Sequence, residues 1–247
     1  MSALATTAIL VAFFVADLAV TRREMMQTQP AVIVEITGHQ WWWELTYDPA
    51  DPARRFSTAN ELHLPVGQPV EIRLRTADVI HSFWVPALAG KQDLIPGHPA
   101  TLRLIADPAG VYRGQCSQFC GLQHAHMALW AVAEPAADFE RWRMRQRQAA
   151  VQPVDSLAAR GRSVFQSGRC MSCHAINGVI DVGRYGPDLT HVASRQTIAA
   201  GTLSNTADHL AAWITDPSRF KPGANMPANP LSPADLRALV AYLGSLQ

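Results

Sequence analysis

All four cysteines of this 247-residue chain fall in two short stretches, and nothing else constrains its fold as strongly. Cys116 and Cys120 stand in "CSQFCGLQHAHM" (116–127), together with His124, His126 and Met127. Cys170 and Cys173 stand in "CMSCH" (170–174), which ends on His174. No cysteine is left for an ordinary structural disulfide. Thiolate, imidazole and thioether groups this close together are soft metal ligands. The chain must therefore build two ligand-bearing nuclei and hold each by burial.

The rest of the sequence supplies a scaffold for each nucleus. Residues 31–134 carry the period-2 pattern of half-buried strands. It is clearest in "VEIRLR" (70–75), where Val70, Ile72 and Leu74 alternate with Glu71, Arg73 and Arg75. "AVIVEI", "TLRLIA" and "ALWAVA" are further strands, separated by the turns "LPVGQP" and "LIPGHP". Many short strands with Pro/Gly turns predict an all-β domain, a β-sandwich or a Greek-key barrel. Residues 156–247 read as helical: Thr206 caps a helix carrying Leu210, Trp213 and Ile214. Ser232, Pro233 and Asp235 open a last helix with an apolar face of Leu236, Leu239, Val240 and Leu243. Between the two halves, Arg141, Arg143, Arg145 and Arg147 predict a solvated, partly helical linker. Ahead of both, residues 3–20 are apolar enough to cross a bilayer and are stopped by Arg22 and Arg23. The expected order is a transmembrane helix (1–27), a β domain (28–135), a linker (136–155) and a helical domain (156–247). A formal net charge of +1 gives no sign of a nucleic-acid surface.

C-x-x-C-H is the attachment signature of a c-type haem. Two cysteines three residues apart suit the two vinyl groups on one haem edge, and the adjacent His174 becomes an axial ligand. A thioredoxin-like pair would need a βαβ context, and a zinc site a second ligand pair nearby. Met226, in the Pro-rich loop before the last helix, is the candidate second axial ligand, an arrangement suited to electron transfer; its other reading is a gap-filling methionine. In the 116–127 stretch, zinc fits poorly because it seldom takes a thioether. Thiolate, thioether and imidazole together select copper. Two cysteines at i and i+4 can bridge two coppers, and His81, from "HSFWVPALAGKQDLIPG", supplies a distant histidine.

"ITGHQWWWEL", "HSFWVPALAGKQDLIPG" and "CSQFCGLQHAHM" together resemble subunit II of cytochrome c oxidase with its binuclear CuA centre, and the CMSCH segment resembles class I cytochrome c. The pair of domains is similar to the caa-type form. The resemblance implies a cupredoxin-like β domain in which Cys116 and Cys120 bridge both coppers. His81 and Met127 complete one copper; His124 and the Gln118 carbonyl complete the other. It also implies that Pro187, in "GPDLTHV", packs near the proximal His174, and that Trp41 receives electrons above the copper. It leaves His39, His63, His98, His126, His191 and His209 without a metal role. Two departures stand out: the family's two membrane helices against one here, and Gln118 where the family has Glu. The implied function is transfer of electrons from covalently bound haem c to CuA and on to an oxygen-reducing subunit I, among other membrane subunits. The implied donor is an external cytochrome or a quinol–cytochrome c oxidoreductase. The implied place is a bacterial plasma membrane, spanned once, with both cofactor domains on the periplasmic face; that outweighs the arginine signal, which alone points inward. A donor subunit of nitric or nitrous oxide reduction and a copper-binding assembly protein are the competing functions.

Overall fold

The computed structural model describes residues 2–25, 29–180, 183 and 185–247. The expected boundary between 27 and 28 lies outside the described residues. The chain divides into two units, Met1–Pro30 and Ala31–Gln247. The first is helix α1 (Ser2–Met25). A helix of this length rises about 36 Å, and Ala3–Val20 within it is long and apolar enough to cross a membrane. Leu10, Phe13 and Phe14 stand exposed on it, while the Thr7 hydroxyl donates to the Ala3 carbonyl at 2.9 Å and so needs no solvent partner.

The second unit begins with ten strands: β1 (Val32–His39), β2 (Trp42–Tyr47), β3 (Phe56–Ala59), β4 (Glu61–Pro65), β5 (Pro69–Thr76), β6 (His81–Phe83), β7 (Gln92–Leu94), β8 (Ala100–Ile105), β9 (Gly110–Gln115) and β10 (Ala128–Glu134). A five-stranded sheet runs β3-β2-β1-β5-β8 and a three-stranded sheet runs β4-β10-β9, with β6 and β7 forming a separate hairpin. Alternation sets the register. Val34, Ile36, Leu45, Ile72 and Leu74 from one sheet meet Leu62, Leu64, Leu129 and Ala131 from the other in a single core. β1 pairs with β2 antiparallel and with β5 parallel, so Ile36 sits level with both Leu45 and Leu74.

The expected solvated linker is corrected in part. Helix α2 (Ala136–Gln146) packs on the β core through Phe139 and Trp142. Trp142 stacks on His63 at 4.0 Å and meets Tyr47 edge-on. Arg143 is buried and bonds the Asp48 carboxylate, which also takes a 3.1 Å bond from Arg147. Charge count alone predicted exposure; the i, i+3 pair Phe139 and Trp142 was the overlooked apolar signal.

The helical half comprises α3 (Ser156–Ser167), α4 (Ala207–Thr215) and α5 (Pro233–Gly244). It also holds a small hairpin, β11 (Thr197–Ile198) with β12 (Leu203–Ser204), which the all-α expectation did not contain. Asp155, Thr206 and Ser232 cap the three helices by accepting from backbone N–H groups. α3 crosses α5 at Gly161, where an added Cβ would lie 1.9 Å from the Ala238 carbonyl oxygen. Only glycine allows so close an approach. Phe165, Ile214, Leu239, Tyr242 and Leu243 fill the core behind it.

Candidate functional site

The β9–β10 ladder closes the 116–127 loop at its base: Gln115 pairs with Ala128, and the Cys116 N–H donates to the Met127 carbonyl at 2.9 Å. The β6–β7 hairpin lies beside it, tied by Ser117 N–H to the Ser82 carbonyl at 3.0 Å. This closure turns the side chains inward onto one point. Cys116 Sγ lies 3.7 Å from Cys120 Sγ, 3.9 Å from His81 Nδ1 and 3.3 Å from the Gln118 carbonyl oxygen. Cys120 Sγ lies 3.5 Å from His124 Nδ1 and 3.9 Å from Met127 Sδ. All six donors expected from the sequence converge. His81, Cys116, Cys120 and Met127 are buried, while Phe119 and Leu122 at the loop tip are exposed.

The electrostatics suit a cation. The contact with Cys120 holds the Cys116 thiol well below its ordinary range, against the opposing effect of burial. That thiolate and burial in turn push Cys120 up. Two thiols this close resist ionising together, and a bound metal would let both be anionic. Asp78 was missed in the sequence. Its Oδ1 accepts from His81 Nε2 at 2.8 Å and its Oδ2 from the Gln40 N–H at 2.7 Å. That leaves His81 Nδ1 free to face the sulfurs. Burial opposes protonation of His81, but its bonds to Asp78 and Cys116 raise its pKa. The spacing of Asp78, three residues before His81, was the available signal.

The three tryptophans separate. Trp43 is buried in the core and meets Phe83 edge-on. Trp42 stacks on His39 at 4.3 Å. Trp41 donates its indole N–H to the Cys120 carbonyl at 2.9 Å, which also accepts from Gln40 Nε2 at 2.8 Å. Gly121, at φ +111°, brings the loop against the Trp41 ring.

The helical half holds a cavity of about 580 Å³ whose wall includes Cys170, Cys173, His174, Pro187 and Met226, with Leu210 and Leu239 among its apolar surface. His174 Nδ1 donates to the Pro187 carbonyl at 2.7 Å, so Nε2 is left as its metal-facing nitrogen. Burial depresses the His174 pKa and keeps the imidazole neutral, the form that binds a metal. Gly186 lies so near that a Cβ would fall 2.6 Å from His174 Cε1. Two cavity-wall thiols, one oriented imidazole, a thioether and an apolar cleft fit a haem. The same cavity reaches Trp41 and Trp42. Three of the remaining histidines find other partners: His63 bonds Glu134 at 2.8 Å, His126 bonds Gln123 at 2.7 Å, and His191 bonds the Gln247 carbonyl at 2.8 Å.

Comparison with known proteins adds two family matches. Residues 50–133 match "Cytochrome C oxidase subunit II, periplasmic domain" and residues 158–247 match "Cytochrome c". The chain is 31% identical to cytochrome c oxidase subunit 2 of Bacillus sp. (strain PS3), over 99% of the chain and 70% of that protein. It is 39% identical to the subunit of the same name from Alkalihalophilus pseudofirmus, over 87% of the chain, and spans 61% of that relative's length. A solved structure of the periplasmic domain of subunit II of cytochrome oxidase from Bradyrhizobium japonicum is 28% identical, covers 49% of the chain and 97% of that chain, and superposes with a TM-score of 0.46.

Proposed function

The chain belongs to the cytochrome c oxidase subunit 2 family, and from that premise we propose that it carries electrons, one at a time, from a haem to a copper pair and on to an oxygen-reducing partner subunit. The observation that carries this reading is the position of Trp41. Its ring lines the cavity of Cys170, Cys173, His174 and Met226, and its N–H bonds the carbonyl of Cys120. A haem in that cavity and a copper pair in that loop would share this one side chain.

Haem and copper supply reversible one-electron chemistry; the chain's residues hold, orient and shield them. Cys116 and Cys120, whose sulfurs lie 3.7 Å apart, would together hold the copper pair. His81, Met127, His124 and the Gln118 carbonyl, all in contact with those sulfurs, would supply the remaining ligands. A cluster buried in a β scaffold and closed at its base by a ladder moves little when charge changes. Cys170 and Cys173 would hold the haem covalently. His174, through Nε2, and Met226 would supply ligands to its iron. The Pro187 carbonyl fixes the imidazole plane. Trp41 is the surface that receives electrons on the copper side.

In this reading α1 anchors the chain in the bacterial plasma membrane, with both cofactor sites on the periplasmic face. Electrons come from an external cytochrome or a quinol–cytochrome c oxidoreductase. The partners are subunit I and the other membrane subunits. Purification of the native complex tests the proposal. Metal analysis is expected to give two coppers and one haem iron per chain, and the complex should consume oxygen with a reduced cytochrome. One copper, or zinc, in folded protein would contradict it, as would oxygen uptake that survives removal of the copper.

A further inference from the structure

Lys221 lies in the loop between α4 and Met226 and is 3% exposed. Its Nζ donates to the Trp41 carbonyl at 2.7 Å, the His126 carbonyl at 2.8 Å and the Ala199 carbonyl at 3.3 Å. An ammonium has three N–H bonds and no acceptor, and here each meets one carbonyl. Two of those carbonyls belong to the copper side. Trp41 is bonded through its indole to Cys120, and His126 sits between His124 and Met127.

Adjacent contacts follow the same line. Gln123 Nε2 donates to the Pro222 carbonyl at 2.8 Å. Gly223, at φ +83°, lies against Leu122 and the Trp41 ring. Farther along the same junction, Glu61 of β4 accepts from the N–H groups of Gln196 at 2.6 Å and Thr197 at 3.2 Å. The Ala128 N–H donates to the Ala200 carbonyl at 3.1 Å. Burying an ammonium costs several kcal/mol unless its protons are satisfied. A residue needed only to fill this space would be apolar.

The geometry points to Lys221 as a positioning residue that locks the methionine loop of the haem half to Trp41 and the copper loop. It touches neither cofactor. It fixes how the two sites face each other, and so sets the rate at which one electron leaves the haem, oxidising it by one, and reduces the copper pair by one. A reduced cytochrome supplies that electron. This inference rests on the function proposed above.

The test compares the full chain carrying both cofactors with its Lys221→Met and Lys221→Arg variants. Haem and copper absorption report whether each site is intact. Hydrogen exchange of the Gln196, Thr197 and Ala128 amides reports docking, and photoinitiated electron transfer reports function. Lys221→Met should keep both spectra, speed exchange at those amides and slow internal transfer about tenfold or more. Lys221→Arg, which keeps charge and donors, should fall between. Unchanged exchange, or faster exchange with unchanged transfer, would overturn the positioning role while leaving the proposed function standing. Absence of internal transfer in the unaltered, fully loaded chain would instead overturn the proposed function. If Lys221→Met does not fold, the unaltered chain still decides: exchange at Gln196 and Thr197 as fast as in exposed loops would refute the lock.

Discussion

Asp78 holds His81 through Nε2, which leaves Nδ1 toward Cys116, and the backbone of Gln40 and Val79 holds Asp78. Its carboxylate feels burial as a penalty, but these three donors outweigh it and keep it ionised. Asp78→Ala should therefore weaken copper retention about 10- to 100-fold while leaving the fold intact; competition with a chelator measures this, and undiminished affinity would show that packing alone orients His81. Met226→His should leave the haem attached and lower its potential, since a second imidazole favours ferric iron more than a thioether does. An unchanged potential in folded protein would return Met226 to a packing role. The six donors proposed for copper are legible in the sequence because their chemistry is local: five fall within twelve residues. Asp78 and Lys221 could not be read in the same way. The partners of Lys221 lie 180, 95 and 22 residues away, and a lone lysine in a Pro-rich loop looks solvated until the tertiary fold is known.

At the scale of elements, the strands and helix caps follow from pattern, and α2 shows where pattern misleads. Three arginines and the Arg147 cap dominate its composition, yet Phe139 and Trp142 decide its position. Trp142→Ala should cost the β half about 3–5 kcal/mol, measured by chemical unfolding of the full chain; a loss under about 1 kcal/mol would mean the helix is only loosely attached. The α3–α5 crossing makes the opposite demand. Gly161→Ala places a methyl group within 1.9 Å of the Ala238 carbonyl oxygen, and overpacking of this kind costs about 1–3 kcal/mol or more. The expected result is a haem half that unfolds at lower denaturant while copper absorption persists. A variant as stable as the unaltered chain would show that the helices can separate freely. Nothing in the periodicity of α3 distinguishes Gly161 from a weak helix position; its role comes from the partner helix.

At the scale of the molecule, sequence predicts two cofactor domains on a tether, whereas the structure packs residues 31–247 as one unit. The difference arises at the junction, where Lys221, Gln123 and Glu61 make contacts that no sequence period announces. This changes how the internal electron path is understood. A tether would raise the chance of encounter; a packed junction with Trp41 between the sites removes the encounter altogether. The most direct measurement is rapid mixing of the fully loaded chain with a one-electron donor that reduces the haem, following haem reoxidation and copper reduction together over a range of protein concentrations. The account requires a first-order rate that does not change with concentration and that falls in Trp41→Ala with both spectra intact. A rate that rises in proportion to protein concentration would contradict it, because the electron would then be passing between chains.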